Sequence, residues 1–141
     1  MDIDVFHPGE LPVVLRALRT AIAPGEPLDE RGQRFIAAYA RITGFPLPAG
    51  ELPCIDPGSV QVYGAHCRKR LLQLVAIAAL LQHPLRPGSV AFVKALARQI
   101  GVRDPVLPVL EALLRGRHLL VRLLTMRRLF RVMLKEAHAA E

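Results

Sequence analysis

Apolar residues recur three or four positions apart along most of the chain, as the buried face of a helix requires. The first such series predicts a helix over residues 10 to 23 and comprises Leu11, Val14, Leu15, Leu18 and Ile22. A second helix is predicted from an N-cap at Asp29 to a stop at Gly44. Its expected apolar stripe consists of Phe35, Ile36, Tyr39 and Ile42.

The second half of the chain continues the helical pattern. A helix over residues 65 to 82 begins with a basic run and is then apolar on nearly every face, which is typical of the centre of a bundle. A fourth helix is predicted from Pro87 to a stop at Gly101. A shorter fifth helix runs from Asp104 to about 115, and a sixth covers about 117 to 138. No convincing pair of strands appears, so the pattern predicts an all-α fold.

The chain also repeats itself at an offset of 57 residues. When residues 15 to 44 are placed on residues 72 to 101, nine of the thirty positions are identical. Because roughly three matches are expected by chance in such a composition, the repeat indicates a duplicated helical hairpin. The length predicts a single domain. Its parts are a first hairpin (10–44), a Pro- and Gly-rich connector (45–64), a second hairpin (65–101) and C-terminal helices (104–138).

Three segments of the first copy carry a family resemblance, namely Ala21 to Glu30, Phe35 to Arg41 and the closing Gly44. With them the repeated unit resembles the TerB-like helical domain of tellurite-resistance proteins. The resemblance implies a small bundle of about six helices built on a duplicated hairpin.

The same resemblance bears on metal binding, because acidic residues at the turns of that family are linked with it. The corresponding metal candidates in this chain are Glu26, Asp29 and Glu30. The second copy has no acid between residues 82 and 87, so half of any paired metal site is missing. We interpret the three acids as cap and helix-dipole residues, and we expect neither a metal nor another cofactor.

Charge is divided unevenly and points to a binding role. Residues 1 to 57 hold eight acids and five bases, whereas residues 58 to 141 hold four acids and fourteen bases. The sixth helix would carry a basic strip opposite its apolar face, and the basic run of the third helix would extend it. These candidate partner-binding residues are Arg117, Arg127, Arg128, Arg131 and Lys135, with Arg68, Lys69 and Arg70.

This strip has a structural and a functional interpretation. It is either the solvated face of an amphipathic helix or a surface for an acidic protein partner or an anionic membrane. No acid occurs from Ala112 to Lys135, so the bases of the strip lack helical ion-pair partners, which favours an interface. Nucleic acid is less favoured because aromatic residues make up only 5% of the chain. Homo-oligomerisation stays open.

Catalytic motifs are missing from the sequence. There is no Gly-x-Ser-x-Gly, no His-Glu-x-x-His and no phosphate-binding Gly-rich loop, so we expect a scaffold or binding module and no enzyme. One alternative is an accessory N-terminal domain of a membrane-associated enzyme system, such as the helical segments that precede ubiquinone-biosynthesis domains. A second is a TerB-like protein that binds a metal through carboxylates.

The location expected from the sequence is the cytoplasm, extending to a peripheral position at the inner face of the membrane. The acidic first residues lack the features of a secretory signal. The apolar run from Leu71 to Leu81 is about half the length of roughly 20 residues that a membrane span needs.

Overall fold

Five α-helices make up the part of the chain that the computed structural model describes, residues 3–82 and 84–116. They are α1 (Leu11–Ile22), α2 (Glu30–Thr43), α3 (Ala65–Ala79), α4 (Pro87–Ile100) and α5 (Val106–Leu114). A 3-10 turn at Pro57–Ser59 lies in the connector, and no strand occurs within the described residues. The prediction of a small all-α bundle is confirmed. The predicted sixth helix lies outside the described residues.

The core is built around α1 and α3. Helix α1 packs against α2, α3 and α4, while α3 packs against α1, α4 and α5. Every member of the apolar series predicted for α1 is buried, and most of the apolar run of α3 is buried as well. Two residues of that run, Ile77 and Leu80, are 42% and 45% exposed. The central position predicted for the third helix is therefore confirmed, although one side of its second half faces solvent.

Helix α2 begins where its sequence predicts. The side chain of Asp29 accepts a hydrogen bond from the amide of Gly32 at 2.8 Å, which satisfies one of the free N–H groups of the first turn. Gly32 is buried where α2 approaches α1. A Cβ atom at this position would lie 3.0 Å from side-chain atoms of Ile22 and Leu28. The missing side chain thus allows the close approach of the two helices.

Helices α2 and α4 end in the same way, at the two glycines that match in the repeat. Gly44 and Gly101 have φ values of 70° and 68°, the left-handed conformation that glycine adopts without steric cost. In both helices the next amide closes a Schellman motif by donating to a carbonyl of the last turn. These bonds join Phe45 to Ala40 at 2.9 Å and Val102 to Ala97 at 3.0 Å.

The sequence-based description is wrong in two details. Ile42, predicted to belong to the apolar stripe of α2, is 57% exposed. Three residues advance a helix by about 300°, so Ile42 is rotated about 60° from Tyr39, away from the face that α2 buries. The third helix ends at Ala79 and not at residue 82. The amides of Leu80 and Leu81 donate to carbonyls three residues back, which tightens the chain before Pro84.

A buried arginine ties α1 to two loops. Arg19 is 5% exposed, and its Nε donates to the carbonyl of Leu52 at 2.8 Å. Its two terminal nitrogens donate to the carbonyls of Ala23 and Glu26 and, at 3.0 Å, to the carboxylate of Glu51. All three guanidinium nitrogens are therefore hydrogen-bonded, and the turn after α1 is joined to the connector.

Further polar groups of α1 and of the connector strengthen this junction. The same oxygen of Glu51 accepts from the amide of Leu28 at 2.7 Å. The hydroxyl of Thr20 accepts from the amide of Ile55 at 2.9 Å, and Arg16 donates to the carbonyl of Cys54 at 2.8 Å. The connector is thus fixed along α1 by side chains that interrupt the apolar pattern of that helix.

None of the helices within residues 3–82 and 84–116 has the length and the apolar character that crossing a bilayer requires.

Candidate functional site

The three acids considered as metal ligands lie at one end of the bundle, and each has another partner. Glu26 forms an ion pair with Arg86, Glu30 forms one with Arg34, and Asp29 caps α2. The interpretation of Asp29 as an N-cap is confirmed. Over residues 3–82 and 84–116, no three His, Cys, Asp or Glu side chains are grouped so that they could hold a metal ion. We call this end, defined by these five residues, the paired end.

The paired end also shows how the two turns of the repeat differ. Arg86 occupies the position that corresponds to Asp29 in the first copy, and it forms its ion pair with Glu26 of the first turn. The turns are in close contact, since a Cβ atom on Gly88 would lie 3.1 Å from the ring of Pro24. The second turn of the repeat thus contains no acid, and it carries a base that pairs with an acid of the first turn.

At the opposite end, the beginning of α3 lies next to the end of α4. Arg68 lines an open groove of about 410 Å³ together with Gln99 and Ile100. Arg70 donates to the side-chain oxygen of Gln73 at 2.9 Å. Five basic residues lie on or directly after these two helix ends, and we call them the basic end: Arg68, Lys69, Arg70, Arg98 and Arg103.

One of the carboxylates near these bases is turned inward. Asp104 is 8% exposed and accepts hydrogen bonds from the amide of Val106 at 2.9 Å and from Gln73 at 3.4 Å. Within the described residues, no member of the basic end forms an ion pair. Lys69, Arg98 and Arg103 are exposed. Their charges are therefore available to an external anion.

The start of α3 concentrates positive charge further. Its N-cap, Gly64, makes no side-chain cap, and the first turn contains no acid. The helix dipole places a partial positive charge at this point, so bases near it oppose helix stability. Within the described residues no carboxylate forms an ion pair with these bases, and an arrangement that costs helix stability is more easily explained by interaction with an external anion.

A larger groove of about 660 Å³ lies between α4 and α5. Arg98 and Arg103 contribute to its lining, beside an apolar part formed by Ala97, Val102, Leu107 and Pro108. Its acidic residue Glu111 binds Lys94 at 2.7 Å. This hydrogen bond and the charge of Lys94 lower the pKa of Glu111, with smaller effects from Arg115 and Arg98. Glu111 is thus held ionised by its partner and reduces the positive charge of the groove only in part.

The structure locates some of the residues of the sequence-based site. It places Arg68, Lys69 and Arg70 at the basic end, whereas Arg117, Arg127, Arg128, Arg131 and Lys135 lie outside the described residues. Helical periodicity does not single out Arg98 and Arg103. The signal for them is the predicted hairpin itself, because a short connection brings the beginning of one helix next to the end of the following one.

No model of a known protein family matches this chain, and neither a curated protein nor a solved structure shows significant similarity to it.

Proposed function

We propose that this protein is a non-catalytic helical binding module that engages a polyanionic surface, an acidic protein or an anionic membrane, through its basic end. The observation that carries the proposal is the contrast between the two ends of the bundle. At the paired end, acids and bases neutralise one another. At the basic end, no member forms an ion pair with any described residue, and the nearby Asp104 is buried.

The sequence beyond the described helices supports the same role. The residues from Arg117 to Lys135 contain no acid, and they follow α5 directly. Together with the basic end they give the C-terminal part of the chain a strong positive charge. Such a charge attracts polyanions over distances of about 8 Å at physiological salt and raises the rate of encounter.

A TerB-like relationship is a further part of this proposal. It is supported by the pairing of similar hairpins and by the Schellman motifs at Gly44 and Gly101, which match in the repeat. The carboxylates at the turns argue for a structural use of the acids, because Glu26 and Glu30 form ion pairs and Asp29 caps a helix. We therefore propose a binding role without a metal.

Two double variants of the full chain test the proposal with equal changes in charge. Lys69→Gln/Arg103→Gln removes two bases of the basic end, whereas Arg31→Gln/Arg34→Gln removes one base of the paired end, Arg34, and one base next to it in α2, Arg31. The probes are vesicles containing phosphatidylserine and, separately, polyglutamate. Because each base near an anionic surface contributes about 1 kcal/mol, the first variant is expected to lose roughly 10- to 30-fold in affinity for the probe that binds.

The second variant is expected to lose much less, and high salt should weaken binding of all three proteins. Circular dichroism checks that the variants keep their helical content. Equal losses in the two variants would mean that net charge, and not the basic end, determines binding. If the unaltered chain bound neither probe at low salt, the proposed function would be wrong.

A further inference from the structure

The most exposed large hydrophobic side chain in the described part of the chain lies at the basic end. Tyr63 is 75% exposed, and it lines the same 410 Å³ groove as Arg68 and Gln99. Among the described residues it is also the only aromatic side chain in the exposed class. An aromatic ring in water beside bases without ion-pair partners needs an explanation, because the other Phe and Tyr side chains of the described residues are buried or half-buried.

The backbone around Tyr63 is held firmly in place. Val60 and Val62 are buried, and the amide of Tyr63 donates to the carboxylate of Glu10 at 3.1 Å. On the following side, Gly64 adopts a φ of 88° and leads directly into α3. The segment is therefore anchored before and after the tyrosine, and the ring is directed away from the core by an ordered backbone.

We infer that the basic end binds an anionic lipid bilayer and that Tyr63 enters its headgroup layer. The inference rests on the proposed function and names the partner. Tyrosine combines an apolar ring with a polar hydroxyl, and it is enriched where a membrane meets water. The adjacent bases complement the negative charge of phosphatidylserine-rich surfaces.

Two observations favour a membrane over other polyanions. The groove around Tyr63 is open and less apolar than the groove between α4 and α5, so it offers less to an anchoring apolar side chain of an acidic protein. Single-stranded nucleic acid binds to successive stacked aromatic rings, whereas this end of the described structure presents one. An open charged surface with one exposed amphipathic ring fits a headgroup layer.

The chain contains no tryptophan, so a tryptophan introduced at position 63 would be the only source of indole fluorescence. The experiment uses the full chain with the substitution Tyr63→Trp. The fluorescence of the introduced indole is recorded with vesicles of phosphatidylcholine alone and with vesicles of phosphatidylcholine and phosphatidylserine. With the anionic vesicles we expect a blue shift and quenching by brominated lipid. With the neutral vesicles we expect neither change.

Leu80→Trp provides the matched control. Leu80 is 45% exposed and lies twelve residues after Arg68, roughly 18 Å along the axis of α3, away from the basic end. Its indole should show no blue shift and little quenching. In addition, Tyr63→Ala should lower the affinity for anionic vesicles about 3- to 10-fold while helical content stays the same.

The outcomes separate this inference from the proposed function. Vesicle binding without a blue shift at position 63, or with equal shifts at positions 63 and 80, would overturn the role of Tyr63 and leave the binding module intact. Binding of polyglutamate or of an oligonucleotide, without vesicle binding, would overturn the membrane as partner. Failure to bind any of these probes would overturn both.

Discussion

Replacing the buried arginine of α1 should destabilise the bundle strongly. In Arg19→Met the apolar stem of the side chain is kept while the guanidinium is removed. Four hydrogen bonds are lost, three to backbone carbonyls and one to Glu51. The carbonyl of Ala23 is left without this partner in a buried position, because Ala23 is 1% exposed. The other acceptors are partly exposed, so water can replace the arginine there.

The magnitude follows from these environments. A hydrogen bond to a charged group contributes about 1.5–3 kcal/mol when it is buried, and less where water can compete. One buried and three partly buried bonds therefore give a loss of about 3–5 kcal/mol in the free energy of unfolding. The loss is large because domains of this size are stable by about 5–15 kcal/mol.

Urea denaturation followed by circular dichroism measures the effect. With a slope of about 2 kcal/mol per molar urea, the midpoint of Arg19→Met should fall by roughly 2 M. The matched control is Arg34→Met, which removes the same charge from a pair whose side chains are 78% and 79% exposed. It should cost no more than about 0.5 kcal/mol. Similar small shifts in both variants would show that the hydrogen bonds of Arg19 do not stabilise the fold.

Three further predictions concern single residues. Burial, and secondarily a nearby carboxylate, raises the pKa of Tyr39 from 10.0 to about 12. The protonated hydroxyl of Tyr39 therefore contributes fully to stability below pH 10, and this contribution is lost as the pH rises to about 12. In thermal melts over this range, Tyr39→Phe should remove that part of the decline, whereas Tyr63→Phe should keep it. Gly101→Ala should cost about 1 kcal/mol because of its positive φ, and a neutral or stabilising result in urea denaturation would contradict this. Gly32→Ala should also destabilise in urea, although alanine favours helices, because its Cβ would be too close to two side chains; a gain in stability would show that these neighbours can yield.

Most of the helix boundaries could be predicted because the signals are local. Asp29, Pro87, Gly44 and Gly101 each determine the conformation of their own backbone, and each marks a boundary within one residue in the structure. The position of Ile42 could not be predicted equally well. Ile42 lies only about 60° from Tyr39 around the helix, and the apolar pattern does not show where the edge of the buried face falls between them.

The connector illustrates a stronger limit. Its Pro and Gly residues predict an irregular loop, but not that Arg19 and Thr20 hold it along α1. In the second copy the position of Arg19 is taken by Ala76, which is fully buried. The reason why one copy has Arg19 and the other has Ala76 is visible only in the structure, where the connector lies along α1.

Only part of the candidate site could be predicted from the sequence, because the other part is brought together by the packing of the helices. The bases at the start of α3 form a continuous run that is visible in the sequence, whereas Arg98 and Arg103 join them only through the antiparallel arrangement of α3 and α4. The exposure of Tyr63 could not be predicted, because it depends on the burial of Val60 and Val62, which lie on either side of Gln61.

The ion pair between Glu26 and Arg86 has a consequence for assembly. The turn of the first hairpin is acidic, and the turn of the second hairpin carries Arg86. The charge of each turn is therefore complementary to the turn of the other hairpin and not to a second copy of itself. If two molecules instead paired like hairpins with each other, carboxylates would face carboxylates at one junction and Arg86 would face a second Arg86 at the other. Charge at the turns thus disfavours association through like hairpins, whereas a domain swap, which joins the first hairpin of one molecule to the second hairpin of another, would keep the ion pair.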